Sequence, residues 1–584
     1  MQAQPRKARR WLIYGTVALV FAGVVFWRYR QSGVDRWMNQ MRAQGEKFTF
    51  HELGITGPTP ADPNEAQLDS AVAALRGNRF TPAVVDMMPF AGPGQARVIW
   101  KEPHLSYAGT NLSWANYDQQ LGAAQASLQQ IKSLAARPSR TRGLDYRQVL
   151  GPWPNYVTYR VAAQWMSGDV IYHLHRSDLP AAQDSLIALV RLAQMFSDES
   201  TLVSQMIRVA ILGLGIADVW TALESPGWDE AHLAELQREL EAVSILDKLP
   251  RTLEMERASG LAAFEFARTN DARALRAQYT YMQLPAPTNA ARDFVDDYVV
   301  TPLWRLAWQE RDKLFYLQNM QVSIVAAHNA QKHQSWVQLS NELAQVEVSM
   351  GKNRMRGAPA SLSSTNFFSA VDALRTQMSQ LIGGRFDRAF QIAMRNLTQR
   401  NLAVAAIAVR RYQLRHGKAP GRLGELVPEF LGAVPVDYMD GQPLRYRLNA
   451  DGTFVLYSAG DNGIDDGGNP AWVGQKTFPG IADGRDMVWP KAAPPPKPLA
   501  LPKDVLPLVE FQSAPLAVVL EVIARQGGLA VEFDAGVRER LERRQVSVRY
   551  VNISVGGMLQ NLASNHGLGL EAGSKTNSIV VRLK

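Results

Sequence analysis

Apolar residues recur every three or four positions over most of the chain from Ala66 to His416, the spacing of helices that bury one face. The pattern is clearest between Tyr159 and Val243, where four apolar-periodic stretches follow one another with short polar joints. Leu186, Leu189, Leu192 and Ala193 form one stripe of this kind, and Asp229 before Glu230 has the form of an N-cap and first turn. The block beginning GDVIYHLHRSDLPAAQ has the texture of a helical hairpin array without a fixed period, so an irregular α-helical domain is predicted over 66–394. Two other patterns interrupt this one. Trp11 to Trp27 is an unbroken uncharged run, and beyond Val505 the chain alternates between period 2 and period 3.6.

The run at 11–27 is at the short end of what spans a bilayer, with Arg9, Arg10, Arg28 and Arg30 placed to snorkel at its ends. The tail before it, residues 1–10, holds Arg6, Lys7, Arg9 and Arg10 and no acid, which predicts a cytoplasmic N-terminus and the remaining chain outside. No small-residue cleavage site follows the run, so it reads as an uncleaved anchor. Residues 28–65 read as a juxtamembrane helix from Gln31 to about Glu46 and a proline-rich break from Thr56 to Asn64.

From Arg395 the texture changes. A helix ends at Gly417, Pro420, Pro428 and Pro435 break further helix, and two strands flank the turn from Asn449 to Gly452. The second strand runs into VLYSAGDNGIDDGG, Val455 to Gly468, a glycine-rich loop with Asp461, Asn462, Asp465 and Asp466. Such a loop either binds a hard cation or is an exposed turn held by its own side chains. It is not an EF-hand: counting from Asp461, the position that needs glycine is Asp466 and the position that needs glutamate is Trp472. Residues 491–505, with KAAPPPKPLALPK, read as a stiff linker.

The C-terminal segment, 506–584, repeats itself. Val509, Phe511, Leu516, Val519, Leu520, Ile523, Gly528 and Leu529 recur 39 residues later as Val548, Tyr550, Val555, Met558, Leu559, Leu562, Gly567 and Leu568. Each unit reads strand, helix, glycine, strand, which predicts two helices on one small sheet with Ser578 to Leu583 as a final strand. Between the units lies DAGVRERLERRQ, with Arg538, Arg540, Arg543 and Arg544, either a contact surface or a solvated loop.

Composition removes several function classes. The 584 residues contain no cysteine, so disulfides, thiolate metal sites and cysteine nucleophiles are absent. The net charge of +9 comes from scattered Lys and Arg, without the basic block of a nucleic-acid binder. His173 and His175 sit two apart and His328 and His333 five apart, and neither spacing shares a helix face for metal. No phosphate-cradling glycine loop, nucleophile elbow or H-E-x-x-H occurs, and Glu254 with Glu256 or Asp296 with Asp297 read as charged helix faces, so no enzyme is predicted.

Two resemblances bear on these modules. The order of parts over 395–490 resembles the C-terminal half of the major pseudopilin of type II secretion systems, carried by Asp440, Gly441, Pro443, Tyr446, Tyr457, Ser458, Gly460, Gly463, Asp486 and Trp489. The processed methyl-helix of that family is missing. The resemblance implies calcium bound by Asp461, Asp465 or Asp466, and Asp486, with carbonyls near Tyr457 and Ser458. Residues 506–584 resemble the secretin and TonB N-terminal short domain, through VEFQSAPLAVVLEVIARQGGLAVEFD, VSVRYVNISVGGMLQNLASNHGLGLE and SIVVRLK. Domains of that family bind protein neighbours and do no chemistry.

The expectation is therefore a multidomain, mainly α protein: one N-terminal transmembrane helix, an irregular α-helical periplasmic domain, a small α+β pseudopilin-like head and a C-terminal α+β domain of secretin-N type. The resemblances imply a single-pass protein of the bacterial inner membrane with most of its chain periplasmic. It would act as a scaffold or adaptor of an export apparatus, with secretin or pseudopilin-type components as partners. The alternatives are an envelope signalling protein and a ligand-binding protein whose helical body holds an apolar pocket.

Overall fold

The computed structural model of the chain describes residues 33–76, 88–103, 105–107, 110–138, 141–148, 154–269, 298–299, 301–350, 378–379, 386–474, 480–494, 501–534, 536–573 and 577–583. The apolar run at 11–27 lies outside them. In chain order, helices α1 (33–42) and α2 (Glu65–Arg76) precede short strands β1 (Phe90–Gly92), β2 (Gln95–Ala96), β3 (Leu105–Tyr107) and β4 (Thr110–Leu112). Then come α3 (Trp114–Ala135), α4 (Val157–His175), α5 (Leu179–Leu192), α6 (Leu202–Leu223), α7 (Glu230–Glu241) and α8 (Leu249–Thr269). Helices α9 (Gln309–His333), α10 (Trp336–Met350) and α11 (Asp387–His416) lead to β5 (Arg445–Leu448), β6 (Phe454–Ser458), β7 (Met487–Val488) and β8 (Lys491–Ala492). The chain ends β9 (Val505–Pro515), α12 (Leu516–Gln526), β10 (Ala530–Phe533), α13 (Val537–Glu542), β11 (Gln545–Ser554), α14 (Val555–His566), β12 (Leu568–Ala572) and β13 (Ser578–Leu583). The protein is mainly helical, with a few small sheets.

Two compact units divide this chain: residues 1–81 with 124–490, and residues 82–123 with 491–584. In the first, α4, α5 and α6 pack together, and α6 also meets α8 and α11. Leu186, Leu189, Leu192 and Ala193 are all buried, as the stripe requires. Side-chain caps start the helices where short polar residues precede apolar runs: Asp178 accepts from Ala181 N–H, Thr201 from Ser204 N–H and Asp229 from His232 N–H. Gly417 ends α11 in the left-handed region at φ +73. Helix α6 is long and apolar enough to cross a membrane, but 72% of its apolar window is buried inside the protein. Burial of that degree is what the central helix of a folded body shows.

The α+β head is continuous with this body. The boundary expected at 394/395 falls inside α11, which packs on α6, α7 and β6. Strands β5, β6 and β7 form an antiparallel sheet, with Arg445 opposite Tyr457 and Tyr457 opposite Val488. The first two N–H groups of α10, Trp336 and Val337, donate to the carbonyls of Tyr438 and Met439 at 2.8 and 3.0 Å. Trp220 of α6 donates its indole N–H to Pro490 O at 2.9 Å, fastening the end of the head to the helical core.

In the second unit the two sequence repeats fold as two strand–helix–strand pieces, but on two sheets instead of the one predicted. Their long first strands pair with each other, β9 antiparallel to β11, with Val509 opposite Tyr550 and Phe511 opposite Val548. Their short second strands both flank β13, β10 in parallel and β12 antiparallel. Helices α12 and α14 bury Leu516, Leu520, Ile523, Val555, Leu559 and Leu562 in one core that side chains of both sheets complete. The two helices and the apolar faces of both sheets close on that one core.

Two boundaries also differ from expectation. Residues 88–112, predicted as part of the helical domain, hold strands that belong to the second unit, and β2 pairs in parallel with β8. The proline-rich segment 491–505 is held at both ends: Lys491 and Ala492 are in that sheet, and the carbonyls of Pro502 and Asp504 accept from Gly556 and Val555 N–H.

Candidate functional site

The acidic loop leaves β6 at Ser458 and returns to the sheet at β7, so Asp486 lies beside the loop's own start. Its carboxylate, almost fully buried, accepts from the N–H groups of Asp466, Gly468 and Asn469 at 3.2, 2.8 and 2.8 Å. Burial pushes the Asp486 carboxyl above its ordinary value against the pull of those donors. Asp465 accepts from Gly467 N–H at 2.9 Å and lies 3.6 Å from the Arg445 guanidinium. Asp466 stands 3.9 Å from Arg485, and its Oδ2 is buried with no hydrogen-bond partner among the described residues. Asp461 turns the other way, to Arg395 (Nε at 3.0 Å) and Gln391 of α11.

The loop is thus stabilised from inside. Asn462, Asp465 and Asn469 each close a turn onto the N–H two residues on. Gly460 and Gly463 take φ +68 and +66, and a Cβ on Gly463 would collide with the Val337 side chain of α10. Of the four expected carboxylates, Asp486 accepts from the backbone N–H of Asp466, Asp465 faces Arg445, and Asp461 pairs with Arg395 of α11. Among the described residues no three His, Asp or Glu side chains converge as a metal-holding group.

The residue that organises the head is one that sequence reasoning passed over. Asp437 is fully buried and accepts from Ala459 N–H and Met439 N–H at 2.9 Å, Ser458 Oγ at 2.8 Å and Arg445 Nη1 at 2.6 Å. Arg445 forks between Asp437 and Asp440. One carboxylate therefore ties the turn at 437–441, the start of β5 and the root of the acidic loop. Burial raises its carboxyl above the ordinary value. Tyr457, facing Asp465, is raised by burial and by that carboxylate.

The helical body holds further buried polar clusters, among them those around Asp169 and Arg142. Asp169 of α4 accepts from Lys132 Nζ at 2.6 Å, Gln125 Nε2 at 2.9 Å and Ser185 Oγ at 2.8 Å, joining α3, α4 and α5. His173 lies 3.6 Å from both Asp169 and Asp178, on a partly exposed side of α4. In the second cluster Arg142 pairs with Glu65 and Asp69 and donates to Tyr159, and Glu199 accepts from the Tyr156 hydroxyl. Glu199 is 1% exposed, its Oε1 has no hydrogen-bond partner among the described residues, and burial pushes its carboxyl up to about 7. The adjoining cavity, lined by Tyr156, Tyr159, Phe196 and Arg208 among others, measures about 10 Å³, room for a single water and no organic ligand. No signal in the sequence separates Asp437 or Glu199 from other acids, because their roles come from burial. Compared with known proteins, the chain matches no family model, no curated protein and no solved structure.

Proposed function

We propose that the protein is a membrane-anchored scaffold of the bacterial envelope, held by residues 11–27, that joins protein components of an export apparatus through its C-terminal unit. The observation that carries this reading is the C-terminal unit itself. Two strand–helix–strand repeats close on a single apolar core and turn a long two-stranded ribbon outward, with Val505, Leu508 and Val551 more than half exposed. A small, rigid, apolar-edged module of this kind suits contact with a protein surface. The buried polar side chains support the same reading, since Asp169, Asp437 and Arg142 hold helices and loops together. Secretin or pseudopilin-type components are the proposed partners.

In-cell crosslinking of the full-length chain, followed by capture, tests the proposal. Enrichment of such a component that is lost on deletion of residues 506–584 is the expected result. Enrichment that survives the deletion, or none at all, overturns it.

A further inference from the structure

The two edges of the β9–β11 ribbon are built differently. Strand β9 carries Pro507 and Pro515, and it bulges at Gln512 and Ser513, where Ser513 takes φ +45 opposite Ser547. Prolines and bulges are the devices that stop a strand edge from accepting another strand. Strand β11 has neither from Gln545 to Val551; its first positive φ is at Asn552. Over those residues the pleat alternates cleanly: Val546, Val548 and Tyr550 face the core, while Gln545, Ser547, Arg549 and Val551 are exposed. Among the described residues, β11 pairs with β9 alone, and Gln545 to Ile553 make no other backbone hydrogen bond.

We infer that the β11 edge is a self-association surface, where a second copy of this chain adds its own β11 antiparallel about a two-fold axis at Val548. The residues of the edge fit one another in that register. Gln545 meets Val551, Val546 meets Tyr550 and Ser547 meets Arg549. Arg549 is the only charge in the stretch, so no like charges are opposed. The apolar inner row Val546, Val548, Tyr550 continues across the axis, and the ribbon becomes a four-stranded sheet with the guarded β9 strands outermost. Such an isologous contact closes on itself and leaves no free unguarded edge. One strand edge buries less than the roughly 800 Å² per partner of a standard stable interface, so the contact is weak in dilute solution. It gains strength where chains are concentrated, as in the plane of a membrane. The inference does not depend on an export apparatus as partner.

The chain has no cysteine, so introduced thiols report without background. Directly opposed residues of an antiparallel pair lie about 4.5–5.5 Å apart at Cα, within disulfide reach. Full-length Ser547→Cys and Arg549→Cys chains with different tags are produced together in membranes and mildly oxidised, with Gln512→Cys on β9 as control. Melting temperatures of the three variants verify folding. The expected result is a disulfide-linked S547C–R549C dimer many-fold above any Q512C dimer. No dimer, or equal dimer from all three variants, overturns the inference. So does a thiol at 547 that crosslinks to a different protein instead of a second copy. Failure of the capture experiment above leaves this result untouched, and the reverse holds as well.

Discussion

At the scale of single residues, the same side-chain type has opposite weight in different settings. Asp437 and Asp461 are both aspartates paired with an arginine. Asp437 is fully buried with five donors, the fifth being Thr398 Oγ1 at 3.5 Å, whereas Asp461 and Arg395 are 32% and 26% exposed. Asp437→Ala leaves two N–H groups, two hydroxyls and part of a guanidinium without their acceptor, and costs roughly 3 kcal/mol. Asp461→Ala costs about 0–1 kcal/mol, the range of exposed ion pairs. Urea denaturation of the two variants separates these values; equal losses contradict the assignment of Asp437 as the hub. Glu199 makes a prediction of different form. Below about pH 4.5 its carboxyl is protonated in both folded and unfolded chains, and between 4.5 and about 7 only the folded chain keeps the proton. The folded state then binds more protons, so stability falls as pH rises through that window, by up to about 3 kcal/mol, and is flat above it. The difference in unfolding free energy between wild type and Glu199→Gln, followed from pH 4 to 8, isolates this slope from Asp312, which burial also raises to about 6. A difference that does not change with pH removes the role of Glu199. Neither acid was legible in the sequence, since an aspartate before a tyrosine carries no mark of what will surround it.

At the scale of elements, what the sequence makes legible is periodicity and punctuation. The stripe of α5, the cap at Asp229 and the stop at Gly417 became what their patterns predict, because each is decided within one or two turns of chain, while the 39-residue repeat kept its strand–helix–strand order but closed on two sheets instead of one. The strands at 90–112 escaped, since two or three residues are too few to display alternation. The meeting of α10 with the acidic loop escaped for another reason: it joins residues far apart in sequence. There Gly463 lies against Val337, and the 438–439 carbonyls close the N-terminus of α10. Gly463→Ala strains a positive φ and pushes on Val337, and costs about 1–3 kcal/mol. Hydrogen exchange locates the damage: the amides of Trp336 and Val337 exchange faster, while Leu559 in the C-terminal core keeps its protection. Uniform acceleration contradicts this local contact.

At the scale of the whole molecule, the chain does not divide in space as it divides in sequence. The second unit is made of two separated pieces, residues 82–123 and 491–584, and a reading that cuts the chain into consecutive segments cannot find such a unit. The two pieces are unequal partners. Every residue of the C-terminal core comes from 501–583, whereas the early piece adds the short β2–β8 pairing and an ion pair of Arg97 with Glu571 at 3.0 Å. Arg97 and Glu571 are each about a third exposed, which holds their contribution to about 0–1 kcal/mol, and Glu571 keeps Arg582 as a second partner at 3.0 Å. A core complete in itself gives a fold complete in itself. The isolated segment 501–584 therefore unfolds cooperatively in urea with a dispersed amide spectrum, and Arg97→Ala in the full chain leaves the exchange protection of Leu559 unchanged. A collapsed segment without dispersion would place part of its stability in residues 82–123 and make the early strands structural members of the module. The same measurement bears on the deletion of 506–584: if the segment folds alone, its removal takes away one module and leaves the other compact unit, residues 1–81 with 124–490.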